Sequence, residues 1–474
     1  MSKKSKSSFP RKRAHSIQAA APVHELLGQA VAMHQQGQIT QAERLYEHVL
    51  RIQPQNFKAL HFLGVIAYQN KKLERAVELI SQAIEINPED PEAHNNLGFV
   101  LQALRQNEAA VESFERAVSL KPDYAEGYNN CAVSLVNLKQ YNLALQCFER
   151  AVALKPDYAK AHFSLSCCYL LLGVFDKGWD EYEWRHKVKD LCLPERSFAQ
   201  PRWSGAQPLH GKTILLYGEQ GLGDTLQFCR YVKLVSEQGA QVVLEVDKPL
   251  MGLLNTLVGV SRLVVKGAML PDFDYYSSLL SLPRAFKTQM SSVPASPSYL
   301  ASDTEKVRFW RDRLGTKTRP RVGLVWSGSA GHKNDHNRSI ALCELAPLLT
   351  LDCQFISLQQ TVRESDGGFL QTRTDIVHLG GSLGDFTDTA ALCELMDVVI
   401  SVDTSVAHLA GALGKPVWVL LPFSPDWRWL VDRRDSPWYP SARLYRQEQP
   451  GDWTGDITNV QADLAMLLKG QSGL

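Results

Sequence analysis

Two segments place an acid near the start of a predicted helix, after an apolar run that is typical of a buried strand. The first is LLYGEQGLGDTLQFCRYV (215–232), in which Asp224 follows three glycines. The second is ISVDTSVAHLAGALGKP (400–416), in which Asp403 follows the run directly. The N–H groups and partial positive charge at a helix start favour a bound phosphate. We therefore predict two phosphate-compatible loops, each with an acid that either caps its helix or takes part in chemistry.

Alternating strands and helices are predicted to position both loops. After Gly211 the β-rich apolar runs are 213–218, 241–246, 262–267, 321–328, 354–359, 375–380, 397–402 and 416–421, with helix-length segments between them. Such runs indicate parallel sheets covered on both faces. We predict two Rossmann-like domains, at 205–305 and 318–474, with a cleft between them. Ligands bind at the carboxyl ends of the strands, so both loops are expected to face this cleft.

The preceding part of the chain repeats every 34 residues. Prolines and alanines recur at this interval, at Pro54, Pro88, Pro122, Pro156 and at Ala42, Ala76, Ala110, Ala144. Small residues where two helices cross, with a proline that ends the second helix, predict an α-solenoid of helix pairs. Four copies lie between 23 and 158, and an atypical fifth extends the predicted repeat domain to 190. The pattern resembles the tetratricopeptide-repeat family, whose concave face binds peptides or proteins.

Two asparagines occupy the concave-side position of their repeats, Asn96 and Asn130. The layout resembles the eukaryotic enzyme that attaches N-acetylglucosamine to proteins, in which asparagines at this position grip the acceptor backbone. An amide donates and accepts hydrogen bonds at once, which suits a sequence-tolerant grip. The alternative is that both are ordinary polar side chains that face water.

The second half resembles a family of transferases. DVVISVDTSVAHLAGALGKPV is similar to the donor-binding segment of the lipopolysaccharide heptosyltransferase superfamily (family 9), and Gly-Leu-Gly-Asp at 221–224 to its acceptor-side loop. With WSGSAGHKNDHNRSI (326–340) and PFSPDWRWL (422–430), the chain resembles bacterial proteins that join tetratricopeptide repeats to a glycosyltransferase domain. The resemblance covers about residues 23–455. It implies a GT-B fold with an inverting, metal-independent sugar transfer between two Rossmann-like domains.

The resemblance also implies residue roles. Asp224 would be the base that takes the acceptor proton, unless it only caps a helix beginning at Thr225. Gly221 and Gly223 would let the backbone approach the substrate closely. Lys333 or Arg338 would supply a cation for the leaving diphosphate, and Asp403 would contact the sugar or nucleotide. Thr404, Ser405 and His408 would contact the phosphates. The amide of Gln359 would bind the nucleotide base.

The composition and the motif sequences argue against other functional classes of protein. The 51 Lys and Arg residues against 50 acids give no argument for a nucleic-acid partner. GEQGLGDT lacks the Gly-Lys-Ser/Thr of a Walker loop and the Gly-x-Gly-x-x-Gly of a dinucleotide site. Asp-Phe-Asp at 272–274 has the spelling of a GT-A manganese motif, but no other donor motif of that fold accompanies it. Nine scattered cysteines without zinc spacing indicate free thiols and no metal site.

We expect a cytoplasmic protein without a membrane span, with a disordered basic tail at residues 1–22. The predicted function is transfer of a sugar from a nucleotide-sugar, without metal or other cofactor, to a Ser or Thr hydroxyl of a protein held by the repeats. Flagellin is an acceptor that the resemblance suggests, since some relatives of this layout are flagellar glycosyltransferases. Two alternatives stay open: a non-catalytic scaffold with a vestigial transferase fold, and a transferase acting on lipopolysaccharide.

Overall fold

The computed structural model describes residues 14–193 and 196–470, and it separates into two compact units between Ser164 and Leu165. This boundary corrects the predicted repeat domain, which extended to residue 190. The predicted tail needs correction as well, because the first helix begins at Ala14. Residues 1–13 lie outside the described residues.

The first unit is a run of helices joined by short turns. They are α1 (Ala14–Gln35), α2 (Ile39–Ile52), α3 (Phe57–Gln69), α4 (Leu73–Ile86), α5 (Pro91–Ala103), α6 (Asn107–Leu120), α7 (Ala125–Asn137), α8 (Tyr141–Leu154) and α9 (Ala159–Leu171), the last of which crosses the boundary. Each proline of the 34-residue repeat comes two residues after one of the even-numbered helices. The predicted helix pairs are confirmed.

Small side chains let the helices of each pair cross closely. The alanines at 42, 76, 110 and 144 are fully buried. At Gly98 an added Cβ would lie 2.6 Å from the ring of Phe114, so a glycine is required by the helix crossing. Each turn inside a pair also contains one residue with positive φ, again 34 residues apart: Gly37, Lys71, Arg105, Lys139 and Gly173. The period is therefore a property of the backbone as well as of the core.

The second unit is α/β. Its strands are β1 (Thr213–Tyr217), β2 (Gln241–Val246), β3 (Val260–Val265), β4 (Tyr275–Ser278), β5 (Arg321–Val325), β6 (Gln354–Ser357), β7 (Ile376–His378), β8 (Val398–Val402), β9 (Val417–Leu421) and β10 (Ala442–Arg446). Its helices are α10 (Phe175–Tyr182), α11 (Leu222–Phe228), α12 (Tyr231–Glu237), α13 (Met251–Leu254), α14 (Leu282–Ala285), α15 (Thr304–Leu314), α16 (Asp335–Arg338), α17 (Glu364–Gln371), α18 (Phe386–Glu394), α19 (Ser405–Ala412) and α20 (Thr454–Leu468).

The strands form two parallel sheets, as predicted. The first sheet has the order β3-β2-β1-β4 and the second β10-β9-β8-β5-β6-β7. The second order is that of a doubly wound Rossmann sheet, and its connections reverse direction between β5 and β8. The first sheet reverses between β1 and β4. The loops that follow these four strands are therefore where a ligand crevice is expected.

Two strands, β4 and β10, were not predicted from the sequence. β4 and β10 have the sequences YYSS and ARLYR, which lack the continuous apolar run of the other strands. Each pairs with one neighbour at the end of its sheet, β4 with β1 and β10 with β9. Partial exposure at such an edge position tolerates polar and charged side chains, so hydrophobicity alone does not reveal these strands.

Candidate functional site

The loop after β1 leads directly into α11, which begins at Leu222 and not at Thr225 as the capping alternative assumed. Asp224 is the third residue of this helix. Its Oδ2 accepts a hydrogen bond from the backbone N–H of Gly221 at 2.8 Å. Asp224 therefore does cap the helix, but it does so from inside the first turn, and its side chain remains 19% exposed.

A cation from the second sheet holds the other oxygen of Asp224. Arg428, which lies in the loop after β9, donates from Nη2 to Oδ1 of Asp224. Its Nη1 donates to Oδ1 of Asp426 at 2.8 Å, and its guanidinium lies 4.2 Å from the ring centroid of Trp427. The Arg428 side chain is only 9% exposed. Burial opposes its charge, but Asp426 and Asp224 together raise the pKa of Arg428 well above its ordinary value.

The two predicted loops meet at Gly223 and His408. A Cβ on Gly223 would lie 2.9 Å from Cδ2 of His408, so this glycine allows close approach to α19 and not, as expected, only to a substrate. His408 is buried, stacks on Trp429 and shares a 2.9 Å hydrogen bond from Nδ1 with the hydroxyl of Tyr439. Burial and the nearby Arg428 lower its pKa to about 3, so the ring is neutral at pH 7.

Asp403 lies at the carboxyl end of β8, one residue before Thr404, the N-cap of α19. Its side chain is 15% exposed, and one oxygen is 3.9 Å from Nε2 of His408. Burial and the negative charge of Asp426 raise the pKa of Asp403 to about 6. A carboxylate that titrates near neutrality in a strand-end loop is typical of a functional site.

Arg338 reaches the same loop from α16. Its Nη1 donates to the backbone oxygen of Asp403 at 2.8 Å. Gly328 leaves room for the guanidinium, since a Cβ there would lie 2.5 Å from Nη2. Ser405 is partly exposed in the first turn of α19, whereas Thr404 is buried with its hydroxyl 3.2 Å from that of Ser401. Asp403, Ser405 and Arg338 are thus brought together at one helix start.

Two predicted donor residues have other partners. Lys333 is exposed, and its ammonium group donates to the backbone oxygen of Asp190 at 3.3 Å. Gln359 is buried, and its amide is engaged within the protein: it accepts from the N–H groups of Trp326 and Ser327 and donates to the hydroxyl of Ser327 and the oxygen of Thr361. This corrects the expectation for Gln359, because the amide has no free hydrogen-bonding capacity for a nucleotide base.

A second buried arginine supports the loop after β1. Arg185 is fully buried and donates to Glu219 Oε1 at 2.8 Å, Ser278 Oγ at 3.0 Å and Ser281 Oγ at 2.7 Å. It therefore joins the loops that follow β1 and β4. Despite Arg185, burial raises the pKa of Glu219.

Sequence reasoning assigned no role to Arg185 or Arg428. The available signal was the same in both cases, an arginine flanked by tryptophan and acids, in EYEWRH and SPDWRW.

The predicted peptide-binding asparagines hydrogen-bond between repeats. Nδ2 of Asn130 donates to Oδ1 of Asn95 at 3.0 Å, and Asn130 is buried. Asn96 is partly exposed, with Nδ2 2.8 Å from Nε2 of His61. Asn130 therefore links adjacent repeats and is not presented to a ligand in this conformation, which corrects the prediction for that residue. Asn96 keeps an exposed surface.

The described residues contain no group of three or more His, Cys, Asp or Glu side chains arranged to hold a metal ion. The nine cysteines are all free. Within the same described segments, no helix is both long and apolar enough to cross a membrane.

Comparisons with known proteins identify the first unit. Tetratricopeptide-repeat models match residues 33–98, 91–124 and 125–158. Residues 33–158 are tetratricopeptide repeats.

Protein FlbA of Caulobacter vibrioides is 28% identical to the chain over 330 residues, which cover 64% of this chain and 54% of FlbA. The chain thus spans about half the length of that relative.

Several solved structures match about a third of the chain. A crystal structure of MamA is 21% identical and covers 34% of this chain and 94% of its own, with a TM-score of 0.31. MamA (41-end) from Desulfovibrio magneticus RS-1 is 20% identical, covering 36% and 94% with the same score. YrrB, described as a TPR protein with an unusual peptide-binding site, is 19% identical, covering 36% and 98%, again at 0.31.

Proposed function

We propose that the protein is a glycosyltransferase that moves a sugar from a nucleotide-sugar to a Ser or Thr hydroxyl of a protein acceptor, with the repeats recruiting that acceptor. In this proposal the α/β unit has the GT-B arrangement. Asp224 is the base, and Arg338 and the start of α19 bind the diphosphate. The family resemblance of the four motif segments supports the absence of a catalytic metal and names flagellin as one acceptor to test.

One observation carries the proposal. The acids and cations of the motif segments lie on loops at the carboxyl ends of β1, β5, β8 and β9, and they converge. Asp224 pairs with Arg428, Gly223 abuts His408, and Arg338 bonds the backbone of Asp403. In doubly wound sheets this edge binds ligands. A purely structural role would not require these polar groups to collect at that edge.

The charges suit the two steps of such a transfer. A carboxylate beside a cleft can accept the proton of an attacking hydroxyl, while the guanidinium of Arg338 and the N–H groups of α19 can stabilise the charge that develops on a leaving diphosphate. His408 is neutral and tied to Tyr439. We therefore assign it to orienting α19 and not to contacting phosphate as an imidazolium.

Donor binding is the first test. The purified protein is heated with UDP, GDP, ADP or CMP and their sugars, with and without EDTA. A nucleotide at a hundred times its dissociation constant should stabilise the protein by about 2.7 kcal/mol. We expect one nucleotide class to raise the melting temperature, with EDTA having no effect. Arg338→Gln should lose the shift, whereas the matched exposed control Arg313→Gln should keep it.

Transfer is then measured as a mass increase of purified flagellin with the nucleotide-sugar that binds. Asp224→Asn should lower kcat at least about 100-fold while the nucleotide still stabilises the variant. A variant as fast as the wild type would remove Asp224 as the base. No nucleotide binding at millimolar concentration would refute the transferase proposal as a whole.

A non-catalytic scaffold is the second candidate. It is favoured by the internal partners of Asp224, His408 and Gln359, each of which has a structural role in the resting protein. On this hypothesis the repeats capture a partner protein, and Arg338→Gln leaves that capture unchanged. Partner capture together with failure of every nucleotide to bind would support the scaffold.

A further inference from the structure

We propose that Arg428 is a positioning residue for Asp224, supplied by the second sheet to a carboxylate that belongs to the first. The inference rests on the proposed function, because it gives Arg428 a role in base catalysis by Asp224. It adds a residue to which the sequence prediction assigned no role.

The carboxylate of Asp224 has a different donor on each oxygen. Oδ2 accepts from Gly221 in its own loop, and Oδ1 accepts from Arg428, which is 204 residues away. The first contact fixes the carboxylate relative to its helix. The second fixes it relative to the loop after β9 and, through that loop, to the second sheet. Because each carboxylate oxygen has two lone pairs, both contacts leave room for an acceptor hydroxyl.

Arg428 is itself held firmly. Oδ1 of Asp426 accepts from the Arg428 backbone N–H at 3.0 Å and from Nη1 at 2.8 Å. The guanidinium lies over Trp427, and little of the side chain is exposed. A planar fork fixed in this way sets both the distance and the direction of its partner carboxylate. Arg428 also differs in role from Arg338. Arg338 bonds the backbone of Asp403 and so lies at the start of α19.

The surroundings explain why an arginine is needed. Tyr182 and His332 are within electrostatic reach of Asp224, and Asp426 and Arg338 are within reach of His332. Of the groups bonded to the Asp224 carboxylate, Arg428 is the one that carries a charge. Removing it would leave Asp224 near the negative charge of Asp426 without compensation. The base would then lose the contact that fixes its Oδ1 oxygen and would be displaced.

The consequence is that the base is complete only when both sheets contribute. Asp224 and Gly221 come from the first sheet, and Arg428, Asp426 and Trp427 from the second. A change in the relative position of the two sheets would disturb the Arg428 contact, because it joins a loop of one sheet to a loop of the other.

The test compares Arg428→Gln, Arg428→Lys and the partly exposed control Arg433→Gln, using the donor and acceptor found in the transfer assay. We expect Arg428→Gln to lower kcat about 10- to 100-fold and to leave the donor KM within about twofold. Arg428→Lys should restore part of the rate. Arg433→Gln should match the wild type.

A raised donor KM with an unchanged kcat would overturn the proposal, since Arg428 would then bind the donor. Unchanged kinetics would overturn it as well. Melting temperatures test the ion pair independently of any enzymatic activity. The double variant Asp224→Asn, Arg428→Gln should lose less stability than the sum of the losses in the two single variants. Additive shifts would refute the pairing. If the wild type transfers no sugar but the shifts are non-additive, the pairing stands while the proposed function and the positioning role both fail.

Discussion

The two units bury different kinds of side chain. In the solenoid the repeated core positions are small or apolar, such as the alanines at 76 and 110 and the larger Ile80 and Phe114, all of which are fully buried. In the α/β unit, Arg185 is buried together with Glu219, and Arg428 is buried against two acids that are partly exposed, Asp224 and Asp426. Burying ion pairs is a weak way to gain stability, because desolvation cancels most of the attraction. Stability alone therefore does not account for the buried arginines of the α/β unit.

The difference also predicts where each unit fails. The solenoid depends on fit between helices, so steric changes should damage it most. The α/β unit depends on charge compensation, so removing one partner of a buried pair should damage it most, and its stability should depend on pH. The following predictions test this division in order of expected effect.

The largest effect is expected from Arg185→Met. The change leaves Glu219 buried without its cation, which should destabilise the α/β unit by about 3–5 kcal/mol. Calorimetry should show its transition at a lower temperature with the solenoid transition unchanged. Arg185→Met with Glu219→Gln should recover part of the loss.

The matched control for this prediction lies in the solenoid. Arg75 pairs with Glu78 at an exposed site, so Arg75→Met should change stability by less than about 0.5 kcal/mol. If Arg185→Met is as mild as Arg75→Met, the buried network is not essential to the unit.

The next predicted effect is a gain in stability, from removal of the charge of Asp403. The folded protein raises the pKa of Asp403 from the ordinary 3.8 to about 6, so it binds more protons than the unfolded chain between these values. Stability should therefore fall as pH rises through this window, by up to about 3 kcal/mol above pH 6. Asp403→Asn should raise the melting temperature at pH 8 and change it little at pH 4.

Asp352→Asn is the control, because its side chain is 85% exposed. His408 acts in the opposite direction: its pKa of about 3 is below the ordinary 6.5, so its contribution is complete above pH 6.5 and is lost as the pH falls towards 3. An Asp403→Asn variant that is less stable than the wild type at pH 8 would contradict the predicted cost of this carboxylate.

The smallest effect tests the solenoid with one substitution at two glycines. Gly98→Ala places a Cβ against Phe114 and should destabilise the repeats by about 1–3 kcal/mol. Gly28→Ala has no atom within 4 Å of the new Cβ and should stabilise α1 by about 0.5–1 kcal/mol. Chemical denaturation monitored by helix content measures both. Equal effects at the two positions would show that close helix crossing does not limit the solenoid.

The same contrast explains what could be predicted from the sequence. The repeats were predictable because every contact recurs at a short, fixed spacing, as in Ala42, Ala76 and Ala110. The apolar strands and their parallel order followed from hydrophobic runs. The partners of the site residues did not follow, because Asp224 and Arg428 are 204 residues apart and nothing local marks their pairing. Gln359 illustrates the converse: its place at a strand end was predictable, but the internal bonds that occupy its amide were not.

The separation between Asp224 and Arg428 also sets an order of events during synthesis. Contacts between repeats, such as Asn130 with Asn95, join residues only 35 apart and can form as soon as each repeat emerges. The Arg428 contact must wait until the last part of the chain is made, which at ribosomal rates is on the order of ten seconds or more after the repeats are complete. The solenoid can therefore form before the α/β unit has folded.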